Sequence, residues 1–349
     1  MMHTKLFVLP GLCLVLTLGV ARAQIPSASQ QVDSAQQRRQ LESAFSFPGG
    51  TNAVPEFYEG ETGDVGPQSV LQFKPRRTYI EASADEQYFF TDNVFLADHG
   101  KQSADVLVST VQAAFAPSPY KFAGGFLSPR AGYQHQWFNY GLANPDMVAV
   151  YPPFQQVGIN TFDFNVSTFF GDVAWRRQNW TFTLGGDYRR LLDSGNYDEF
   201  YHEYVPRWSV RRDFSMNDSF AFSIAYEGDY RMTGTTPPFF ANTVPPNNPP
   251  VYPDTFNNRT DQGILLVANW RLCSHAVLQP FYRFQFAHYT RINRDDLINS
   301  FGLALYCPIT KQITLRTFVS YDIANTDGFY AQNYQSLNAG GGLNFTVRF

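Results

Sequence analysis

The C-terminal stretch 337–349 constrains the fold more than any other part of the sequence, because apolar and polar residues alternate along it. From Leu337 to Phe349 every second residue is apolar or glycine, and the residues between them are polar or glycine. Successive side chains of a β-strand point to opposite faces, so one face of this strand carries no polar group. An apolar face that runs to a terminal aromatic residue is typical of a strand facing lipid. The stretch therefore predicts a transmembrane β-barrel.

The N-terminus has the three parts of a secretory signal peptide. A short basic segment precedes an apolar run from Leu6 to Val20, and Ala21-Arg22-Ala23 follows as a small-x-small cleavage site. The run, of about 15 residues, is short for a membrane-spanning helix. We predict that residues 1–23 are the signal peptide and that Gln24 is the first mature residue.

Composition separates the classes of exported protein. Aromatic residues make up 17% of the chain and charged residues 16%, an unusual balance for a soluble enzyme. The mean hydropathy is nevertheless −0.28, and no later segment offers the roughly 18 uninterrupted apolar residues of a transmembrane helix. A barrel explains both observations, because an apolar outer face is balanced by a polar inner face. The net charge of −4 and the lack of a basic run indicate no nucleic-acid partner.

From residue 77 onward the chain consists of short alternating runs. Phe220, Phe222 and Ile224 share one face of the clearest run, and Ala221 and Ser223 share the other. With a first strand at Ile80, the pattern predicts strands near 105–116, 128–139, 161–175, 180–191, 200–211, 218–231, 261–272, 276–289, 296–307, 313–322 and 334–349. Together they form about 12 strands, within a range of roughly 10 to 14.

The connections between these strands alternate in length. Short joins near 176–179, 273–275 and 308–312 are typical of periplasmic turns, and long ones such as the Pro-rich 232–260 of external loops. The fold class is therefore predicted to be all-β: a transmembrane antiparallel up-and-down barrel over residues 77–349.

Thr91-Asp92-Asn93-Val94-Phe95 follows the first run. Here the chain resembles outer-membrane β-barrel porin families, some of them linked to exopolysaccharide export, whose first strand often ends in an Asp-Ser-Asn-Val-Phe-like motif. Thr91-Asp92 replaces Asp-Ser. The resemblance implies a single barrel in the bacterial outer membrane and names no substrate.

Residues 24–76 have no strong pattern. A Gln/Ser-rich piece is followed by scattered turn residues, and the first interpretation is a largely irregular, flexible periplasmic arm. The alternative is a short helix at Val32 to Phe45 that plugs the lumen or docks on a periplasmic partner.

Aromatic residues and cysteines give two further predictions. The mature chain keeps Cys273 and Cys307, both beside predicted periplasmic turns, and an oxidising compartment makes a disulfide between them a hypothesis. Two aromatic girdles are expected at the membrane boundaries. The periplasmic girdle would hold Trp175, Trp180, Trp208 and Trp270, and the outer one Trp137, Tyr188, Tyr226, Tyr230 and Tyr289.

The sequence offers no catalytic constellation. His135, His202 and His288 fall on the lipid-facing parity near the external rim, without the His-x-Ser spacing of an outer-membrane phospholipase. They are interpreted as imidazoles in an aromatic belt. No zinc-like cluster, phosphate-binding loop or dinucleotide motif occurs, so we expect no metal, no cofactor and no enzyme activity.

The lumen is the predicted functional part. Parity places charged and amide side chains of both signs on the inner face: Glu81, Asp85, Arg130, Gln134, Asp187, Arg189, Glu203, Arg207, Glu227, Asp229, Arg231, Arg271, Arg283 and Arg316. Arginine binds carboxylate and phosphate and stacks on sugars. The first interpretation is a porin-like channel for small anionic or hydroxylated solutes. The alternatives are a plugged structural, anchoring or export-associated barrel, and an outer-membrane lipase or protease.

The expected partners follow from this location. They are outer-membrane lipid, small solutes, and the outer-membrane assembly machinery, which would recognise the terminal strand through Phe349. A periplasmic partner of residues 24–76 is a further hypothesis.

Overall fold

The computed structural model describes residues 28–39, 41, 78–143, 147–150, 155–235, 255, 257–327 and 333–349. The predicted signal peptide, residues 42–77 and the Pro-rich part of the 232–260 loop lie outside these ranges, so their assignments stay predictions. Among the described residues, no helix is long and apolar enough to cross a membrane.

Almost all described residues from 80 onward belong to strands or to their connections. The strands are β1 (Ile80–Thr91), β2 (Ala104–Phe115), β3 (Tyr120–Phe122), β4 (Gly125–Tyr140), β5 (Met147–Val150), β6 (Gln155–Gly158), β7 (Phe164–Arg177), β8 (Trp180–Asp193), β9 (Glu199–Ser215), β10 (Phe220–Thr235), β11 (Arg259–Cys273), β12 (Ala276–Tyr289), β13 (Asp295–Pro308), β14 (Ile313–Thr326) and β15 (Tyr334–Arg348).

Twelve of these strands form a closed antiparallel barrel within the described part of the chain. Each pairs with its neighbours along the chain, and the pairing of β1 with β15 closes the ring. The short β3 pairs only with β4, and β5 with β6 forms a separate hairpin in the connection before β7. The predicted fold class is confirmed, including the strand number.

The alternation of burial identifies the two faces of the wall. On β1 the side chains of Glu81, Asp85 and Gln87 are buried. Tyr88 and Phe90, which follow them and point to the opposite face, are about half exposed. Buried polar groups on one face and exposed aromatic groups on the other are the arrangement expected of a barrel with lipid outside and a polar lumen inside. Exposed large apolar side chains recur on the outer face of the other strands.

The closing strand, β15, pairs with both β1 and β14. Phe345 is opposite Ala84 of β1, and Leu343 is opposite Leu315 of β14. Phe349 extends this pairing, because its backbone N–H donates to the carbonyl of Ile80 at 2.9 Å. Its ring is 57% exposed.

Three members of the predicted girdles lie elsewhere. Strands β9 and β10 each run about four residues further than predicted, so Trp208 and Tyr226, assigned to opposite boundaries, pack edge-to-face at 5.0 Å in mid-wall. Tyr289 is buried and faces inward, with the Arg259 guanidinium 5.6 Å from its ring centroid. By contrast, Trp175 and Trp180 both pack on Phe182 beside a short connection.

The hypothesised disulfide is absent, and both thiols are free. Strand β12 separates the two cysteines: Cys273 is opposite Ala276, and the next residue, Val277, is opposite Tyr306, the neighbour of Cys307. Two strand spacings place the Cα atoms about 10 Å apart. A disulfide requires Cα atoms within roughly 7 Å.

Residues 28–39 form a helix, α1, whose contacts lie inside the barrel. The interpretation of this segment as irregular is wrong for these residues, because they are helical. The alternative helix was predicted at Val32 to Phe45, whereas the described helix covers 28–39, and its role as a plug stays a prediction. Ala28, Val32 and Ala35 are spaced to share one face of a helix and are buried against inward-facing Val106 and Phe138. Burial of this stripe, which local sequence alone could not guarantee, stabilises the helix in the lumen.

Candidate lumenal site

All fourteen inner-wall residues predicted from parity lie at inward-facing strand positions, as the alternation of burial along each strand shows. They do not line an empty passage. Most of them belong to three groups, two of which contact α1 and one of which lies nearer the periplasmic end. Arg316 donates to Asp85 of the second group at 2.7 Å. Arg283 lies 3.8 Å from Glu227 and donates to Gln37 of α1 at 3.3 Å. Whether they line the path of a solute stays a prediction.

The first group surrounds Asp33 of α1. Arg189 Nη1 donates to Asp33 Oδ1 at 2.7 Å, and Arg231 Nη1 lies 2.7 Å from Asp33 Oδ2. Arg259 Nη2 is 3.8 Å from the same oxygen. These arginines come from β8, β10 and β11, and each guanidinium side chain is at most 8% exposed. A single carboxylate is thus shared by three buried cations.

Wall carboxylates hold the same arginines from the side of the barrel. Arg231 Nε lies 3.1 Å from Asp229 Oδ1 and 3.0 Å from Asp261 Oδ2, and Arg189 Nη1 donates to Glu203 Oε1 at 2.8 Å. Buried charges persist only where they are paired and hydrogen-bonded. The wall carboxylates and Asp33 of α1 therefore hold these guanidinium groups together.

The second group binds the opposite face of α1. Arg39 Nη1 donates to Gln134 Oε1 at 2.6 Å, and its Nε lies 3.8 Å from Asp85. Arg38 donates to Gln87 at 3.2 Å, and its guanidinium carbon lies 4.5 and 4.8 Å from the ring centroids of Phe89 and Phe318. A cation between two aromatic faces is stabilised by the ring quadrupoles.

These two groups lie on opposite walls. β1, which carries Asp85, is diametrically opposite β10, which carries Arg231, in the strand order of the barrel. Because Arg39 contacts one and Asp33 the other, α1 bridges the full width of the lumen.

The helix also has a defined direction along the lumen. Near its start, Gln31 donates to the carbonyl of Val94 in the connection after β1 at 2.7 Å, and Tyr140 donates to Gln31. At the other end, Gln279 donates to the carbonyl of Leu41 at 3.1 Å. The segment therefore runs from the external mouth toward the periplasmic half.

The third group, nearer the periplasmic end, lies outside the contacts of α1. Glu81 accepts from Arg130 at 2.6 Å and from Arg348 at 3.0 Å. Arg207 bridges Asp172 and Asp187 at 3.4 and 3.3 Å. Arg271 occupies an inward-facing position on β11.

Sequence reasoning missed part of the Asp33 group. Arg259 is absent from the predicted set because the predicted strand begins at residue 261. Arg259 nevertheless lies on the same face of β11 as Asp261, and its Nε donates to Asp261 at 3.0 Å. Extending the alternation by one more pair would have found it. Asp33 had no signal beyond the apolar spacing of its helix.

The histidines form local polar contacts on the outer face. His135 Nδ1 lies 3.0 Å from Ser167 Oγ and 3.1 Å from Tyr133 Oη, while His202 and His288 contact Glu199 and Asp295 respectively. No carboxylate is among the hydrogen-bond partners of His135 in the described residues. No group of three or more acidic, His or Cys side chains in those ranges is arranged to hold a metal ion. The expectation of no enzyme activity stays a prediction.

The chain was compared with protein-family models, curated proteins and solved structures. No protein-family model and no curated protein matches the chain. An outer-membrane channel from Pseudomonas putida F1 has a TM-score of 0.49 at 9% identity, covering 77% of this chain and 96% of its own. The β domain of the Bordetella autotransporter BrkA has a TM-score of 0.43 at 12% identity, with 77% and 100% covered. An anion-selective porin from Comamonas acidovorans has a TM-score of 0.37 at 8% identity, covering 78% of this chain and 99% of its own.

These likenesses concern the fold alone. The closed ring of strands, the exposed apolar outer face and the buried polar interior carry the assignment independently, because these features together are those of a barrel surrounded by lipid. The protein is a transmembrane β-barrel.

Proposed function

We propose that the protein is a gated outer-membrane channel for small anionic or hydroxylated solutes, and that α1 is its gate. The observation that carries the proposal is the bridging of the lumen by α1, a separate segment N-terminal to the barrel strands. Asp33 and Arg39 attach this segment to opposite walls through polar contacts.

The composition of the wall supports a channel that opens. A barrel closed permanently could fill its interior with its own side chains, as small barrels do. Here the inward side chains of Arg189, Arg231 and Gln134 instead contact a helix that is separate in sequence from the barrel strands. Such polar groups can be hydrated when the helix leaves, so opening does not require a hydrophobic interior to be exposed on this part of the wall.

A plugged structural or export-associated barrel is the second candidate, and one observation favours it. The upper lumen contains an apolar patch of Val106, Val108, Phe138 and Leu191 that α1 covers. Water would contact this patch if the helix left, at a cost of about 25 cal/mol per Å² of apolar surface. A helix that never leaves would avoid that cost.

Planar-bilayer recordings distinguish the two candidates. We expect the wild-type protein to show mainly closed intervals with occasional steps, and a variant lacking residues 24–41 to show larger and longer steps. Arg283→Ala should reduce the anion preference of the open state, because Arg283 is an inward-facing cation paired with Glu227 at 3.8 Å.

Each preparation needs a folding control, which heat-modifiable migration on gels supplies. Silence of the folded truncated variant over many insertions would reject the channel. A lipase and protease assay on the same preparation would then test the remaining enzymatic alternative.

A further inference from the structure

We infer that Arg189, Arg231 and Arg259 form a binding site for carboxylate-bearing solutes, and that Asp33 occupies this site as an internal ligand. The inference rests on the proposed channel and identifies the chemical group that its lumen recognises. It also gives the gate a trigger, because a solute carboxylate and Asp33 cannot occupy the same position.

The geometry around Asp33 is that of a bound carboxylate. Its two oxygens are approached by Nη atoms of different arginines at 2.7 Å each, from Arg189 and Arg231. Arg259 supplies a third cation at 3.8 Å. Charge-assisted contacts of guanidinium with carboxylate are among the strongest polar contacts in proteins, and their planar geometry is specific.

The arginines present their tips to the lumen because their other edges are engaged. Nε of Arg231 faces Asp229 and Asp261, and Nε of Arg259 faces Asp261. Their Nη atoms remain directed at the position of Asp33. A site whose donors are already ordered loses little conformational entropy on binding, which favours affinity.

The charge of the cluster predicts the form of the selectivity. The three arginines are accompanied by four wall carboxylates, those of Asp187, Glu203, Asp229 and Asp261. The site therefore has no excess positive charge with which to concentrate every anion. Recognition depends on the paired, planar arrangement of donors, so a carboxylate is expected to bind better than chloride.

Competition with Asp33 couples binding to opening. A ligand that binds only when Asp33 is displaced shifts the population toward the state with α1 undocked. The apparent affinity of the wild type for the ligand equals the intrinsic affinity multiplied by the fraction of molecules in which Asp33 has left the site. Removal of the Asp33 carboxylate should therefore strengthen ligand binding.

Isothermal titration with D-glucuronate, and with D-glucose as the uncharged comparison, tests the site on full-length protein in detergent. We expect Asp33→Ala to bind glucuronate at least tenfold more tightly than the wild type does. Arg231→Lys in the Asp33→Ala background should weaken that binding at least tenfold. Lysine keeps the charge but lacks the fork with which Arg231 contacts a lumenal carboxylate through Nη1 and Asp229 and Asp261 through Nε. Ser34→Ala lies on α1 and takes no part in the contacts described for the arginine cluster; it is the matched control and should bind as the wild type does.

Three results would overturn the inference: equal affinity of wild type and Asp33→Ala, equal binding of glucose and glucuronate, or unchanged binding after Arg231→Lys. Titration does not require conduction, so its outcome is separate from that of the channel itself. If Asp33→Ala binds glucuronate tightly and no folded variant conducts, the site stands and the channel fails. Heat-modifiable migration of each variant verifies folding.

Discussion

At the level of single residues, Asp163 connects the segment before β7 to the end of β4. It lies between the single 3₁₀ turn Ile159–Phe162 and β7, and its Oδ1 accepts from the backbone N–H of Tyr140 at 2.8 Å. Burial raises the pKa of Asp163 to about 6, although the hydrogen bond from Tyr140 acts in the opposite direction. Protonation of this side chain therefore falls within an accessible pH range.

The sign of the effect on stability follows from linkage. Because the pKa is raised on folding, the stabilisation is complete below the unfolded value near 4 and is lost as the pH rises through about 6. We expect the denaturant midpoint of unfolding to be higher at pH 5 than at pH 7.5, and Asp163→Asn to remove the part of the difference that this carboxyl contributes. A carboxyl signal of Asp163 that titrates near pH 4 by NMR would contradict the assignment.

Gly302 on β13 provides space for an aromatic ring on the next strand. A Cβ at this position would lie 2.2 Å from ring carbons of Phe281, which packs with Leu41 and Val267. Gly302→Ala should destabilise the barrel by about 1–3 kcal/mol, the usual cost of overpacking. Denaturant unfolding in detergent measures this. Gly171→Ala is the matched control, because its nearest atoms lie 3.9 Å away, and equal stability of the two variants would be evidence against the packing argument.

At the level of elements, α1 is the part of the chain whose stability depends most on its surroundings. It is short, and isolated helices of this length are marginal in water. Its order comes from the apolar stripe that contacts Phe138 and Val106 and from the charges on both of its sides. A change that disrupts the helix should thus disrupt its docking as well.

Ala35→Pro tests this dependence. Ala35 is fully buried in the helix interior, where proline costs about 3 kcal/mol relative to alanine. We expect the ratio of open to closed intervals in bilayer recordings to rise roughly 100-fold. Ser34→Ala preserves the helix and should leave the ratio unchanged. A wild-type ratio in Ala35→Pro would mean that α1 does not control the lumen.

At the level of the whole molecule, closure of the ring depends on the last residue as well as on the last strand. The carbonyl of Phe349 accepts from Tyr79 N at 2.7 Å, and its N–H donates to Ile80 O. The half-exposed ring contributes little buried surface. Backbone closure and recognition of the ring by assembly machinery can therefore be separated experimentally.

Deletion of Phe349 should reduce the yield of assembled barrel in cells, and Phe349→Ala should reduce it by a similar factor of about tenfold if the ring is the recognised feature. Molecules that do insert should conduct as the wild type does, because the Asp33 cluster lies on β8, β10 and β11 and not on the closing strand. Pulse-chase assembly followed by heat-modifiable gels measures the yield. Normal assembly of Phe349→Ala would leave the ring without a recognition role.

The sequence by itself determined the barrel. The alternation of apolar and polar residues is a local property of each strand, so it can be recognised without knowing which strands pair. It placed β12 at its observed bounds, 276–289, and assigned Asp85, Arg189 and Arg231 to the inner face. The ends of β9 and β10 were placed too early because alternation weakens beyond the lipid-facing region.

Only the tertiary structure decided what fills the lumen. The stripe of Ala28, Val32 and Ala35 is too short to specify a helix, and its partner surface is assembled from several strands. The meeting of Asp33 with three arginines from three strands likewise depends on ring closure. Contacts between residues so distant along the chain arise from the closed geometry, and no local pattern encodes them.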